Sequence, residues 1–201
     1  MKFCVLMGSP RREGNTAALL APFLAECAAL GAETELIWLY DKKLAPCMGC
    51  MACQDSLDGL GCVQKDDFEN IFSAMAGCDV IVLATPVYAF FCTAPMKSLL
   101  DRAVYAGTKN YGRKRGPKLL EGRGVATLVT CGYPPEKGAD LWEEGVKRFC
   151  RHGRLNYLGI LCRRDWGRGE PFLNEEREQA ARDFAQALIL TLRTDGMLTE
   201  C

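Results

Sequence analysis

The sequence of 201 residues contains only one histidine, His152. It also lacks a formal net charge, because 25 basic side chains balance 25 acidic ones. One histidine argues against mechanisms that use a histidine dyad and against a mixed cysteine and histidine zinc site. The balanced charge predicts neither a nucleic-acid surface nor a polybasic membrane anchor. His152 lies beside arginines near the end of a predicted helix, so we predict a surface position and assign it no catalytic role.

Long apolar runs are also lacking, and none approaches the length that a membrane-spanning helix needs. The apolar run at residues 1–7 is too short for a signal peptide, and a glycine turn with two arginines follows it. This run therefore predicts a first β-strand, and we expect a cytoplasmic protein that does not bind membranes.

Short apolar runs alternate with segments of helical periodicity along the chain. Strands are predicted over residues 3–7, 34–39, 79–84, 125–130 and 157–162, and helices over 16–30, from 66 onward, from 95 onward, 139–151 and 174–193. This alternation predicts one α/β domain over residues 1–201, with a parallel sheet covered by helices on both faces. Ligands of such sheets bind beyond the carboxyl ends of the strands, so the segments after strands one, three and four are candidate sites.

Two long connections interrupt this pattern, a cysteine-rich one over residues 40–65 and a basic one over residues 106–123. The first ends where Asp66 and Glu69 predict a helix capping box. The basic residues of the second are Lys109, Arg113, Lys114, Arg115, Lys118 and Arg123. A charge run of this kind predicts a solvated surface loop, and the alternative is a site for an anionic partner or a nicotinamide 2′-phosphate.

The segment after strand one, Gly8-Ser9-Pro10-Arg11-Arg12-Glu13-Gly14-Asn15-Thr16, leads directly into a helix. The free N–H groups and the dipole at a helix N-terminus attract anions, and short polar side chains with an arginine add donors. The G-x-G-x-x-G and G-K-[ST] patterns are both lacking, so a monophosphate fits better than a pyrophosphate or triphosphate. The alternative interpretation is an ordinary capped turn with exposed arginines.

The segment after strand three, Ala84-Thr85-Pro86-Val87-Tyr88-Ala89-Phe90, combines a proline that ends the strand with two aromatic rings. Tyr88 and Phe90 offer flat apolar faces to an aromatic ligand, and the alternative is that they pack into the core.

Together these segments resemble the NADPH-dependent FMN reductases of the flavodoxin-like fold. The resemblance covers about residues 1–105 and includes Ala94-Pro95-Met96-Lys97 and Asp101-Arg102. It implies the strand order 2-1-3-4-5 and an FMN cofactor. The residues that it assigns to the phosphate are Ser9, Arg11, Gly14, Asn15 and Thr16; those assigned to the flavin ring are Pro86, Val87, Tyr88, Ala89 and Phe90, with Cys131 and Gly132 after strand four.

Twelve cysteines are present, and Cys47, Cys50 and Cys53 form a C-x2-C-x2-C run that Cys62 follows. Three thiolates at this spacing can bind three corners of an iron–sulfur cube, with a fourth from farther along, whereas structural zinc sites usually use two separated pairs. The run resembles the compact motif of iron–sulfur flavoproteins, which carry a [4Fe–4S] cluster beside FMN, although the last gap is longer than expected. Two interpretations stay open: a cluster on these four cysteines, or a cysteine-rich loop with free thiols or an adventitious disulfide. The other eight cysteines are expected to be small buried apolar residues.

The resemblance favours an oxidoreductase whose FMN takes two electrons from NAD(P)H and passes them to a quinone, flavin or metal acceptor. Because a flavin supplies the hydride chemistry, no catalytic residue is assigned. The first alternative is an iron–sulfur flavoprotein that takes electrons from a ferredoxin, and the second is a non-enzymatic flavin- or metal-binding module. We also expect a homo-oligomer, a dimer or tetramer, because this family commonly holds its flavin near a subunit boundary.

Overall fold

The computed structural model describes residues 1–110, 116–165, 167 and 171–198. The strands are β1 (Lys2–Met7), β2 (Glu33–Trp38), β3 (Val80–Pro86), β4 (Gly124–Cys131) and β5 (Asn156–Arg164). The helices are α1 (Asn15–Ala29), α2 (Phe68–Ala76), α3 (Ala94–Gly107), the single turn α4 (Pro135–Gly138), α5 (Asp140–Gly153) and α6 (Glu175–Leu198). The strands form one parallel sheet in the order β2-β1-β3-β4-β5, which confirms the predicted fold.

The core lies on both faces of this sheet, because successive side chains of a strand point to opposite sides. Leu6 and its β3 partner Leu83 pack among side chains of α2, α3 and α5. The neighbouring pair Val5 and Val82 packs instead among side chains of α1 and α6. With both faces covered, the three central strands are almost wholly buried, which explains their continuous apolar sequence.

The ends of two helices agree only in part with what the sequence predicts for them. The side chain of Asn174 accepts the N–H of Arg177 at 2.9 Å and so caps α6, at the first residue of the helix predicted over 174–193. The predicted capping box of α2 is only partly present: Asp67 occupies the cap position, and Asp66 Oδ1 accepts the N–H of Phe68 at 3.2 Å. The other oxygen of the Asp66 carboxylate pairs with Arg102 at 2.6 Å, because that fully buried guanidinium needs a compensating charge.

The predicted basic surface loop over residues 106–123 needs correction. Helix α3 continues to Gly107, and Lys109 is only 1% exposed because the cysteine-rich connection folds over it. Lys118 donates its ammonium to the backbone oxygen of His152, in the last turn of α5, where both groups are half-buried rather than on the open surface. Residues 113–115 lie outside the described residues. No helix in the described part of the chain is long and apolar enough to span a bilayer.

A buried polar link between β4 and α5 allows a test of the packing. The indole N–H of Trp142 donates to the hydroxyl of Thr127 at 2.8 Å, and that hydroxyl donates to Leu83 O at 3.1 Å. Thr127→Val leaves the buried indole N–H without its partner, so we expect a loss of about 1–3 kcal/mol in the free energy of unfolding. Urea denaturation measures it, with the exposed Thr191→Val on α6 as the control. Equal midpoints for the two variants would contradict this prediction.

Candidate functional site

A cavity of about 150 Å³, open to solvent, lies at the carboxyl ends of β1, β3 and β4. We call it the strand-end cavity. Its lining residues are Ser9, Arg11, Gly14, Asn15, Thr16, Pro86, Val87, Tyr88, Thr130, Cys131, Gly132 and Asp165. Ten of the twelve residues predicted to hold FMN therefore share one cavity, at the place where the fold leaves a crevice for ligands.

The loop between β1 and α1 forms the polar end of this cavity. Ser9 is buried, and its hydroxyl accepts the N–H of Arg11 at 3.2 Å. Gly14 occupies the cap position of α1, and no side chain caps this helix or places a carboxylate in its first turn. The first N–H groups of α1 consequently lack intrahelical partners and are available to an anion. A side chain at position 14 would bring its Cβ within 2.8 Å of the Cβ of Arg11, so the turn requires glycine.

The two arginines of this loop have different surroundings. Arg11 is exposed and lines the cavity. Arg12 turns toward β2, where its guanidinium pairs with Asp41 and lies 4.1 Å from the centre of the Trp38 ring. Arg11 is therefore free to meet an anion in the cavity, whereas Arg12 is engaged outside it.

Two lining residues, Thr130 and Asp165, were missed by the sequence analysis. The hydroxyl of Thr130 is hydrogen-bonded to that of Thr16 at 2.7 Å, which links the end of β4 to the start of α1. Asp165 directly follows β5, and its N–H donates to Cys131 O at 2.8 Å. A search that had included the segment after strand five would have found Asp165, but the Thr130 contact depends on the packing of α1 against β4.

The segment after β3 forms a tight turn at the rim. Tyr88 and Phe91 exchange two backbone hydrogen bonds of 2.8 and 3.0 Å, and between them Ala89 and Phe90 have φ angles of +50° and +65°. This turn carries Ala89 and Phe90 out of the cavity wall, and the ring of Phe90 stacks on that of Tyr133 at 5.7 Å. Their contact with a cofactor stays a prediction. Non-glycine residues in this strained conformation are typical of functional sites.

Two of the scattered cysteines meet at the cavity wall. The sulfur of Cys131 lies 3.4 Å from that of Cys162 on the adjacent strand. The hydrogen bond from the Cys162 thiol lowers the pKa of Cys131 despite burial, and the nearby Arg164 lowers it further. The same hydrogen bond and burial raise the pKa of Cys162. Cys131 is thus the more easily ionised thiol of the pair.

We expect that iodoacetamide modifies Cys131 before Cys162 in the cofactor-free protein, because the alkylated species is the thiolate. FMN at ten times its Kd should slow this modification about tenfold, since Cys131 lines the cavity that FMN would fill. Peptide mass spectrometry measures the rate, with the exposed Cys50 as an internal control that FMN leaves unchanged. An unchanged rate at Cys131 with FMN bound would place the flavin elsewhere.

A second cavity, of about 20 Å³, brings Cys47, Cys50, Cys53 and Cys62 together beside α3. We call it the cysteine cavity. The long gap before Cys62 is folded back on itself: a Cβ at Gly61, whose φ is +66°, would lie 2.6 Å from Ser56 Cβ and 3.2 Å from Cys53 Cα. This close return, which only glycine allows, accounts for the longer spacing, because Cys62 reaches the same cavity as the first three cysteines.

The donor set of the cysteine cavity suits a cluster better than a single ion. Within the described residues, no three cysteine, histidine, aspartate or glutamate side chains are grouped to hold one metal ion. An iron–sulfur cube does not need three ligands around one metal ion, since each cysteine binds a different iron. The four thiols are the donor type that a [4Fe–4S] cluster uses, and their binding of one stays a prediction.

Two buried cations face the cysteine-rich connection. Arg102 donates to Asp66 at 2.6 Å, to Ala45 O at 3.2 Å and to the sulfur of Cys62 at 3.4 Å. Lys109 donates to the backbone oxygens of Cys53 and Leu60, both at 2.9 Å. Burial lowers the pKa of Lys109, and negative charge on the nearby cysteines opposes that shift.

Residues 1–138 match the family model of the NADPH-dependent FMN reductases, which is more than half of the chain. The chain belongs to this family. The match confirms the resemblance that the first and third strand loops indicated, and it supports the assignment of the strand-end cavity to a flavin.

Relatives of this FMN reductase family member include proteins named iron–sulfur flavoprotein. One from Methanocaldococcus jannaschii is 43% identical over 103 residues, which are 51% of this chain and 52% of the relative. One from Archaeoglobus fulgidus is 32% identical over 136 residues, 68% of this chain and 58% of the relative. The chain thus matches little more than half the length of these curated relatives.

Solved structures agree on the fold. The NAD(P)H:quinone oxidoreductase from Methanothermobacter marburgensis superposes with a TM-score of 0.70 at 17% identity, over 94% of this chain and 96% of that one. At this identity the likeness shows the shared architecture alone, and it extends that architecture beyond residue 138, where the family model ends.

Proposed function

We propose that this protein is an FMN-dependent oxidoreductase that takes two electrons from NAD(P)H and passes them to a quinone, flavin or metal acceptor, in the cytoplasm and as a homo-oligomer. The observation that carries the proposal is the strand-end cavity, with its uncapped helix N-terminus at one end and the β3 turn at the other. The cavity encloses about 150 Å³ and is open to solvent. Membership of the NADPH-dependent FMN reductases names the cofactor that fits it.

Each end of the cavity has a separate role in this proposal. The first N–H groups of α1, with Ser9, Arg11, Asn15 and Thr16, would hold the FMN phosphate, because all of them are donors around one open anion site. Pro86 to Tyr88 and the pair Cys131 and Gly132 would lie along the flavin ring. The bound flavin supplies hydride acceptance and electron release. The side chains bind and orient it, and no protein acid or base is assigned.

A second candidate function rests on the cysteine cavity. We propose that Cys47, Cys50, Cys53 and Cys62 hold a [4Fe–4S] cluster that exchanges single electrons with a ferredoxin-like partner. The grouping of these four thiols supports it, as does the buried Lys109 beside them. The name iron–sulfur flavoprotein, printed for the two relatives described above, is consistent with the same chemistry.

The deciding experiment is an absorption spectrum with iron and sulfide assays on protein purified without oxygen, followed by NADH or NADPH oxidation with a quinone. Flavin bands and pyridine-nucleotide oxidation support the first proposal. Flavin with iron and sulfide, but with reduction only by a ferredoxin, supports the second. A chain that binds no added FMN contradicts both, and metal without flavin would indicate a non-enzymatic binding module.

A further inference from the structure

Lys109 is a buried cation without a buried anion. It follows α3, is 1% exposed, and its Nζ donates to the backbone oxygens of Cys53 and Leu60 at 2.9 Å each. No carboxylate pairs with it among the described residues, whose ion pairs include one for the neighbouring buried cation Arg102. Both backbone oxygens belong to the connection that carries the predicted cluster ligands.

Such a lysine is costly to bury, because transfer of an ammonium out of water is repaid only by an opposite charge and good hydrogen bonds. Carbonyl oxygens provide the hydrogen bonds but no net charge. The two backbone oxygens that Lys109 binds belong to Cys53 and to Leu60, which precedes Cys62 by two residues. Cysteines that ligate a metal are thiolates, so a loaded site supplies the missing negative charge.

The cation on the wall of the cysteine cavity itself is Arg102. It donates to the sulfur of Cys62 at 3.4 Å, while Asp66 already offsets its charge. Around the cysteine-rich connection, the two buried cations Arg102 and Lys109 therefore face one carboxylate. The excess positive charge comes from Lys109, and it is opposite in sign to the negative charge that thiolates bring to an iron–sulfur cluster.

We propose that Lys109 is a positioning residue of the cysteine cavity, whose charge stabilises the thiolate-ligated cluster and makes it easier to reduce. This inference rests on the proposed cluster. A nearby positive charge favours the reduced form, which carries one more negative charge, so it raises the reduction potential. Groups outside the ligand shell commonly change metal affinity by about 10–100-fold.

The test compares anaerobically purified wild type with Lys109→Met, Lys109→Arg and the control Lys97→Met. Lys97 lies on α3 too, but it is exposed and pairs with Asp101. Three quantities are measured: the cluster midpoint potential by an EPR-monitored titration, the rate of iron loss to a chelator, and the Tm of the metal-free protein. For Lys109→Met we expect a lower potential and iron loss about tenfold faster, with potentials near wild type for Lys109→Arg and Lys97→Met.

The Tm separates a charge effect from loss of structure. Removing a buried charge that lacks a partner should leave the Tm of the metal-free protein unchanged or higher. A lower Tm for metal-free Lys109→Met, with an unchanged potential in the loaded protein, would show a merely structural lysine and overturn the inference. If wild type itself holds no iron after reconstitution, the proposed cluster fails first, and the inference with it.

Discussion

Replacing both Cys47 and Cys50 by serine is expected to remove the iron of the anaerobically purified protein and to leave its flavin in place. Cys50 is exposed and Cys47 is half-buried, so neither substitution opens a void in the core. Each would nevertheless remove one of the four thiolates proposed to bind the cube, and serine is a much poorer ligand for iron in such clusters. Iron and sulfide per chain should fall from about four to near zero.

The matched control is Cys162→Ser, another half-buried cysteine that lies on β5, outside the cysteine cavity. It should keep the full iron content. The flavin spectrum of the double variant serves as a second control, because the strand-end cavity contains neither Cys47 nor Cys50. Retention of full iron by the double variant would place the cluster ligands elsewhere, and loss of flavin together with iron would indicate a folding defect.

The second large effect is expected at the anion site. Arg11→Ala should weaken FMN binding roughly 10- to 100-fold, because a hydrogen bond to a charged group contributes about 1.5–3 kcal/mol when the ligand covers it. Titration of the cofactor-free protein with FMN, followed by flavin fluorescence, measures the Kd. Riboflavin, which lacks the phosphate, should bind Arg11→Ala and wild type equally.

The adjacent Arg12→Ala is the control, because the chain places two arginines side by side with opposite surroundings. The Arg12 guanidinium is held by Asp41 and Trp38, away from the cavity. Its removal should change the Kd for FMN less than twofold, since exposed ion pairs contribute little. Equal effects of the two substitutions would show that Arg11 acts only through the positive electrostatic potential of the loop and makes no direct contact with the phosphate.

Much of the fold was predictable because its determinants are local. The run at residues 80–84 is apolar throughout, as a strand covered on both faces must be, and the helical spacing of Phe68, Ile71, Phe72 and Met75 identifies α2. The phosphate loop was predictable for a related reason, since a strand, a glycine turn and a helix follow one another directly. Ten of the twelve proposed FMN residues accordingly line one cavity.

Other features depend on contacts between distant segments, and no local pattern shows them. Cys131 and Cys162 look like isolated apolar cysteines until the packing of β4 against β5 brings their sulfurs together. Lys109 looks like part of a solvated charge run, and only the fold of the cysteine-rich connection buries it. In the same way, the sequence places Asp66 at the start of a helix, but it does not show that the same carboxylate also pairs with the buried Arg102.

Helix α3 reaches both cavities. Just before it, Thr93 donates its hydroxyl to Gly8 O at 2.6 Å, at the start of the β1–α1 loop, and Arg102, Tyr105 and Ala106 near its other end line the cysteine cavity. Nine residues at 1.5 Å each separate Thr93 from Arg102 by about 14 Å along the axis. Because a helix is rigid along its axis, α3 fixes the distance between the β1–α1 loop and the cysteine cavity. Length changes between Cys53 and Cys62 leave that spacing intact, whereas deletion of one residue from α3 would rotate Arg102 by about 100° away from the cysteines.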